Sequence, residues 1–556
     1  MPYFVFFLTV IPLVWLLPNH YLPWLSAWQD GLALLLLFSA AALAKPRAVI
    51  PRLWALALGL AACTVVLQWA TGRILFGGDA LMVLLYLAAL ALAIALGSTL
   101  PALTGGPGRT ALDSLALGCV LAALASVGIA LVQWTGAVSL GIWAADLPPG
   151  GRPFGNVAQP NHLCMIGLLG LAAAGVLKQQ AIVGNAGFWA STLFLMLGMV
   201  MSGSRTGWLQ IGFVVVFAGL AGRRNGLALS RVGATVMGLI FLCGVLAWPQ
   251  INELLMLQQG RSLSDTTQAG TRALHWAALV DAVWQQPLWG YGWQQVSVAQ
   301  VRNADTHPFV GEYIEHSHNI VLDLIVWNGL PIGGVLVALL CTWFLSRLWR
   351  CRNPVAAWLL MAVGGLGIHG MLEFPLEYAY FLIPLGLFVG AIDTLQPAPG
   401  NVRVPAKALR VTGAVLAGAL VWIGTEYLTA EQAQRTLRIE SAHIGVPGIQ
   451  SPPPDLPLLT QLDAFLRFAQ TAAREGMSPA EVDRMRKVSE RFASPSVMFR
   501  YALATGLNGQ PERAALTLNR LCRIHPVERC NEAREGWRAA QNKFAVLRGV
   551  PPPALP

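Results

Sequence analysis

Two carboxylates, two imidazoles and an amide crowd into ten residues, GEYIEHSHNI (311–320), at the mouth of an apolar run continuing VLDLIVWNGL. A neutral imidazole, with an ordinary pKa of about 6.5, can accept a proton at neutral pH. His316 and His318 are two apart, a spacing that does not put them on one helical face, so a shared metal is not implied. His318 leads directly into the helix and is the better-ordered place for a base, with His316 in support. Asn319 can cap the helix that follows. Glu315 has no assigned role.

A base needs something to act beside, and arginines supply it. Arg205 lies in MSGSRTGWLQ, where two apolar runs meet and Ser202 and Gly203 loosen the helix. A helix N-terminus attracts anions, and a guanidinium suits a bidentate phosphate contact. An interfacial arginine also snorkels to headgroups, so both readings stand. Arg272 opens TRALHWAALVDAVWQQP, which reads as an amphipathic helix ended by Pro287. It fits either an anion site or a solvated face.

Two further motifs are polar where the chain is otherwise apolar. GNVAQPNHLCMIG (155–167) places Asn156, Gln159, Asn161 and His162 at a helix entrance, with Pro160 in the first turn and Asn161 a candidate cap. Its His162 fits a structural interfacial role as well as a catalytic one. In MLEFPLEYAYFLIP, Glu373 and Glu377 flank Pro375, and Tyr378 and Tyr380 read as aromatic-belt anchors. His369, one turn earlier, is a packing partner for Glu373. The eight cysteines form no C-x-x-C pair or His/Cys ligand pattern, so no metal site is expected.

These residues must be held by membrane elements. Of 556 residues 55% are hydrophobic and 12% charged, about half the charge of a soluble protein, and mean hydropathy is +0.57. The net charge of +10 is dispersed in small clusters beside apolar runs, which excludes a nucleic-acid-tracking face. A spanning helix needs about 20 apolar residues. Thirteen candidates are centred near residues 10, 37, 62, 90, 122, 169, 195, 216, 240, 333, 364, 386 and 419, the second of them short. With a cytoplasmic N-terminus, four loops with three basic residues each fall inside: Lys45, Arg47, Arg52; Arg223, Arg224, Arg231; Arg347, Arg350, Arg352; and Arg403, Lys407, Arg410. The N-terminal MPYFVFFLTVIPLVWLLP lacks the basic flank of a cleavable signal and reads as a retained first helix.

That alternation divides the chain into a transmembrane domain over 1–428, with a long periplasmic loop at about 249–317, and a periplasmic helical domain over 429–556. A loop of this length is expected to be functional or to hold its own helices. Arg152, His162, Arg205, Arg272, His316, His318 and Glu373 then share the outer side, which points to one cavity open to the outer leaflet. A lipid-linked sugar flippase would also carry intramembrane polar groups. It would line the inner half too, and no inverted repeat is evident. Past SPPPDLP (451–457), a linker or turn, RYALATGLNGQPERAALTLNRLCRIHP resembles one tetratricopeptide-type hairpin. Cys522 and Cys530 fall there, as a disulfide or as two free thiols.

In order, SGSRTGWL, Arg272 before a Trp-rich W-x-x-P-L-W-G-Y-G stretch, and HSHN opening a helix resemble the O-antigen ligase and polymerase superfamily. GNVAQPNH and EFPLEYAYF resemble its PglL-type protein O-oligosaccharyltransferase branch. The resemblance implies an all-α, polytopic, GT-C-like inner-membrane transferase that needs neither metal nor cofactor. Its donor would be an oligosaccharide on undecaprenyl diphosphate at the periplasmic leaflet. By that likeness His318 activates or orients the acceptor hydroxyl, and Arg205 and Arg272 hold the diphosphate. Gln159, Asn161, His162, His316, Asn319, Glu373 and Tyr378 belong to the substrate site. Direct displacement would invert the anomeric carbon. The C-terminal domain favours a protein acceptor, a pilin presenting Ser or Thr, over the lipid A core of a ligase. A polymerase would lack GNVAQPNH.

Overall fold

The computed structural model describes residues 3–45, 47–106, 108–257, 272–441 and 452–555. Part of the long loop, 258–271, lies outside the described residues, as does Ser451 of the Pro-rich linker. The chain is almost wholly helical. The membrane-like portion runs through α1 (Tyr3–Val10), α2 (Ala27–Ala42), α3 (Arg52–Ala70), α4 (Gly77–Gly97), α5 (Ala111–Thr135), α6 (Pro160–Gln179), α7 (Asn185–Met201), α8 (Arg205–Asn225) and α9 (Arg231–Leu254). Two loop helices follow, α10 (Arg272–Gln285) and α11 (Val296–Asn303). Then come α12 (Ile320–Arg350), α13 (Pro354–Gly370), α14 (Ala379–Leu395) and α15 (Ala406–Ser441). Five amphipathic helices end the chain: α16 (Thr460–Gln470), α17 (Pro479–Arg491), α18 (Pro495–Leu507), α19 (Pro511–Ile524) and α20 (Val527–Lys543).

Each of the thirteen expected centres lies in an apolar helix, but length separates them. Among the described residues seven helices are long and apolar enough to cross a membrane, and six are apolar but shorter. At 1.5 Å per residue, the sixteen residues of α2 reach about 24 Å, less than a hydrocarbon core of about 30 Å.

The chain divides into two compact units. The first comprises residues 1–59, 85–268 and 339–422. Its centre is α6, buried along nearly its whole length against α5, α7, α8 and α13. Close approach needs small residues: a Cβ at Gly175 would lie 2.2 Å from the Trp358 ring. Peripheral α9 instead exposes Val232, Leu239, Ile240, Leu242 and Leu246, an apolar face suited to lipid.

The second unit comprises residues 60–84, 269–338 and 423–556. Its C-terminal helices have one buried cluster of their own, Ala502, Leu507, Ala514, Leu518, Trp537, Leu547 and Val550, and share two others. One buried cluster joins Val301 and Ala304 of the loop to Ala493, Met498, Leu521, Cys522, Ile524, Cys530 and Ala533, with Tyr313 packed against it. Another joins Phe76 to Phe468, Met485, Val488 and Tyr501. The hairpin read from RYALATGLNGQPERAALTLNRLCRIHP is present as α18 and α19. Of the two readings of Cys522 and Cys530 the disulfide is the one found, with Cα atoms 4.7 Å apart.

Candidate active site

The residues singled out in the sequence fall into two sets, one in each unit. In the first unit, GNVAQPNH and EFPLEYAYF meet. Asn156 is fully buried and acts on backbone: its amide nitrogen donates to the carbonyls of Leu16 and Trp143, and its oxygen accepts from Ala145 N–H. Asn161 does not cap α6. Gln159 does, its side-chain oxygen accepting from the N–H groups of Asn161 and His162, which frees the Asn161 amide to donate to Glu373 Oε1 at 2.9 Å. A Gln cap is uncommon, and residue type alone favours Asn there.

His162 is buried, 2.9 Å from the Tyr380 hydroxyl and edge-on to Tyr378 with ring centroids 4.6 Å apart. Its ring also meets His369 at 5.7 Å. Tyr380 is therefore no belt anchor, being 3% exposed and committed to an imidazole. His369 meets Glu373 through backbone, its carbonyl accepting from Glu373 N–H at 2.8 Å.

Arg205 is the first residue of α8, at the break between α7 and α8. Gly203 takes φ +56° there, and Arg152 Nη1 donates to the carbonyls of Ser202 and Gly203 at 3.0 and 3.1 Å. These are the last carbonyls of a helix end, where a cation is favoured. Arg152 thus has a structural task in shaping the turn that presents Arg205.

In the second unit the opening motif is a tightly tied turn. His318 has φ +57°, in the left-handed region, where a non-glycine residue costs about 1–2 kcal/mol. Such strain persists only where the surroundings over-determine it, and it clusters at functional sites. Here both neighbours are pinned. Ser317 N–H donates to Asp323 Oδ1 at 2.9 Å, and Ser317 O accepts from the Trp276 indole at 2.7 Å. The Ser317 hydroxyl donates to Asn319 O at 2.9 Å and accepts from Asn319 N–H at 3.1 Å. Asn319 caps α12 as its type predicts, accepting from the N–H groups of Val321 and Leu322.

Arg272 starts α10, and Trp276, one turn on, shares its face. The Trp276–Ser317 bond therefore brings Arg272's side of α10 to the residue preceding His318. His275, between them in sequence, lies 3.6 Å from the Glu312 carboxylate. Burial holds its pKa below the ordinary value, against the pull of Glu312. His316 is pushed down to about 3, first by burial and then by Arg491 and His318. It is neutral at any working pH and suits support rather than proton transfer. Glu315, unassigned from sequence, lies 3.8 Å from Arg491 Nη1 and 3.3 Å from the Tyr313 hydroxyl.

The Trp-rich motif also acquires a physical task. Pro331 lacks an N–H, so the carbonyl four residues back, Trp327, has no helical donor. Gly329 takes φ +74° and ψ 172°, kinking α12. PLWGYG (287–292) fills the gap: Tyr291 N–H donates to Val326 O at 2.8 Å, Gly292 N–H to Trp327 O at 3.0 Å, and Leu330 N–H to Pro287 O at 2.7 Å. Gln68 completes it, donating to Trp327 O and accepting from Trp293 N–H. The first turns of α12, which follow HSHN, are thereby held by backbone contacts. Trp276, Asp323, Tyr313, Gln68 and Arg491 were missed in sequence. Only Trp276 and Asp323 carried a local signal, one turn from Arg272 and from Asn319.

Residues 190–338 match the O-antigen ligase family, and residues 355–540 match the family described as virulence factor membrane-bound polymerase, C-terminal. The chain is 28% identical over 528 residues to a general O-oligosaccharyltransferase of Acinetobacter baylyi, covering 93% of this chain and 91% of that protein. It is 29% identical over 246 residues to a ComP-specific O-oligosaccharyltransferase of the same organism, 44% of each chain. The chain thus carries domains of the O-antigen ligase and membrane-bound polymerase families, and its similarity over nearly the whole chain marks it as an oligosaccharyltransferase.

Proposed function

We propose that this protein transfers an oligosaccharide en bloc from undecaprenyl diphosphate to Ser or Thr hydroxyls of a periplasmic protein acceptor, a pilin, without metal. His318 takes the proton of the acceptor hydroxyl as its oxygen attacks the anomeric carbon. The bond from that carbon to the diphosphate breaks, the configuration inverts, and undecaprenyl diphosphate departs. Arg205 and Arg272 bind the diphosphate and stabilise the charge that develops on it. Gln159, Asn161, His162, His316, Asn319, Glu373 and Tyr378 line or support the substrate site. This reading places thirteen spans in the bacterial inner membrane, with the N-terminus cytoplasmic and residues 429–556 periplasmic.

The observation that carries the reading is the left-handed His318, pinned at both neighbours beside the Arg272 end of α10, in a chain similar throughout to oligosaccharyltransferases. The matches to ligase and polymerase families favour a second acceptor class, a glycolipid or growing glycan, with the same donor chemistry. The test combines purified full chain, lipid-linked oligosaccharide and either pilin or lipid A core. His318→Ala is expected to lower transfer by about 10²–10⁴-fold, the usual worth of a positioned base. Transfer by His318→Ala at the wild-type rate would refute the mechanism. Glycan joined to lipid A core alone would move the acceptor to the ligase class. Donor movement across liposomes without transfer would favour a flippase.

A further inference from the structure

We propose that Arg491, at the end of α17, is a positioning residue for the transfer, gripping the segment that carries His318. The inference rests on the reading of His318 as the base and goes beyond it. It assigns to the C-terminal helices a part in building the reaction centre.

The grip has three points. Arg491 faces Asp79 in the first turn of α4 through two nitrogens, Nε at 3.2 Å from Oδ2 and Nη2 at 3.4 Å from Oδ1. Its Nη1 lies 3.8 Å from Glu315 Oε1. Its backbone carbonyl accepts from the Ser297 hydroxyl at 3.0 Å and lies 3.1 Å from the Tyr313 hydroxyl. That hydroxyl is also 3.3 Å from Glu315, and its single proton serves one of the two at a time. The side chains of Arg491 and Asp79 are 13% and 4% exposed, whereas that of Glu315 is 51% exposed. The arginine is therefore committed to protein carboxylates, which argues against a third phosphate-binding cation. A fork between carboxylates is geometry that a guanidinium makes and an ammonium does not.

The consequence lies three residues on. A chain covers at most about 3.6 Å per residue, so fixing Glu315 confines His318 within about 11 Å of that anchor. Gln300 fixes the same segment from the loop helix, donating to Glu312 O at 2.8 Å and accepting from Ile314 N–H at 3.0 Å. Past His316, the ties of Ser317 to Asp323 and Trp276 take over. The segment is thus held at 312–315 by the C-terminal helices and α11, and at 317–319 by α12 and α10. Losing the first hold leaves His316 tethered on one side only, and leaves the turn at His318 resting on the Ser317 and Asn319 ties alone. Displacement of a catalytic group by about 1 Å can cost about 10²-fold in rate.

A residue that only stabilised the fold would behave differently, and Glu315 makes the distinction possible. Because it is half exposed, Glu315→Gln is expected to leave the unfolding temperature of the full chain within about 2 °C of wild type. Its kcat is expected to fall about 10-fold, with the donor KM within about twofold. Tyr313→Phe should behave likewise. Arg491→Gln should lose about 10²-fold, Arg491→Lys should recover part of that, and Arg491→Gln with Glu315→Gln should be no slower than Arg491→Gln alone. Should Arg491→Gln fail to fold, Glu315→Gln and Arg491→Lys decide the matter. Wild-type kcat in both, or losses that only track the folded fraction, would overturn the positioning role while His318→Ala remained inactive. An active His318→Ala would instead remove the reading beneath it.

Discussion

Gly329→Ala probes whether the kink of α12 sets the position of the motif that precedes it. At φ +74° and ψ 172° Gly329 occupies a region of backbone space open essentially to glycine, so an alanine there costs about 1–3 kcal/mol in conformation alone. Space adds to this. A Cβ at 329 would lie 2.5 Å from the carbonyl carbon and oxygen of Leu288 and 2.8 Å from Pro287 O. These are backbone atoms, so relief requires moving residues 287–288 and straining the Leu330–Pro287 hydrogen bond, for about another 1–3 kcal/mol. The sum is about 2–6 kcal/mol. For a cooperative unit of roughly two hundred residues each kcal/mol moves the transition by about 2–4 °C. Thermal unfolding of the purified chain should show a drop of at least about 5 °C, together with reduced transfer. Gly311→Ala is the control: its φ is +75°, but its nearest neighbour is the Phe309 ring at 2.9 Å, which can turn away, so about 1–2 kcal/mol is expected. If Gly329→Ala unfolds within 1 °C of wild type and transfers at the full rate, the reasoning from the kink is wrong.

Two other outcomes follow from the second unit. Cys522 and Cys530, eight apart in sequence and both buried, close a short loop inside the cluster shared with Val301 and Ala304. Reducing that bond, or replacing both with Ser, should cost about 2–3 kcal/mol by loop entropy, and a melting curve unchanged by demonstrated reduction would contradict this. His316 binds its proton less readily folded, at about 3, than unfolded, at about 6.5. The unfolded state therefore takes up the proton first, and stability present at neutral pH is lost as pH falls below about 6.5. At pH 5 this amounts to about 1–2 kcal/mol, which His316→Gln should abolish. Equal loss of unfolding temperature between pH 7 and pH 5 in both proteins would rule His316 out as the source.

What the sequence made legible was whatever leaves a local pattern. Apolar runs placed thirteen helices, and residue type placed Asn319 as a cap and Arg205 at a helix start. GNVAQPNH and EFPLEYAYF were each visible, but not that Asn161 would reach Glu373 across 212 positions. Spacing along one chain cannot register a bond between distant segments. The same limit hid Arg491, which reads as one more charge in the exposed helix PAEVDRMRKVSERFA. Its partner Asp79 lies 412 positions away. A C-terminal acceptor-docking domain was the natural reading of a soluble composition. The shared cores show helices that also support the loop, so deleting residues beyond about 430 would disturb that loop as well as any acceptor site.

The HSHN motif is best understood through its serine. Ser317 is 1% exposed, and its N–H, carbonyl and hydroxyl are all engaged, by Asp323, Trp276 and Asn319 respectively. Two imidazoles two residues apart would occupy similar surroundings in an extended strand, both on one face. The left-handed turn at His318, just past the fixed serine, breaks that equivalence. One ring is left with its Nδ1 shut away from solvent, beside the ion-paired Arg491 and neutral at working pH. The other stands at the entrance of α12, next to the face of α10 that carries Arg272 and Trp276. A pair that reads in sequence as a duplicated base thus becomes one buried support and one ring at a helix entrance. It is the backbone at Ser317, more than either ring's own type, that separates the two.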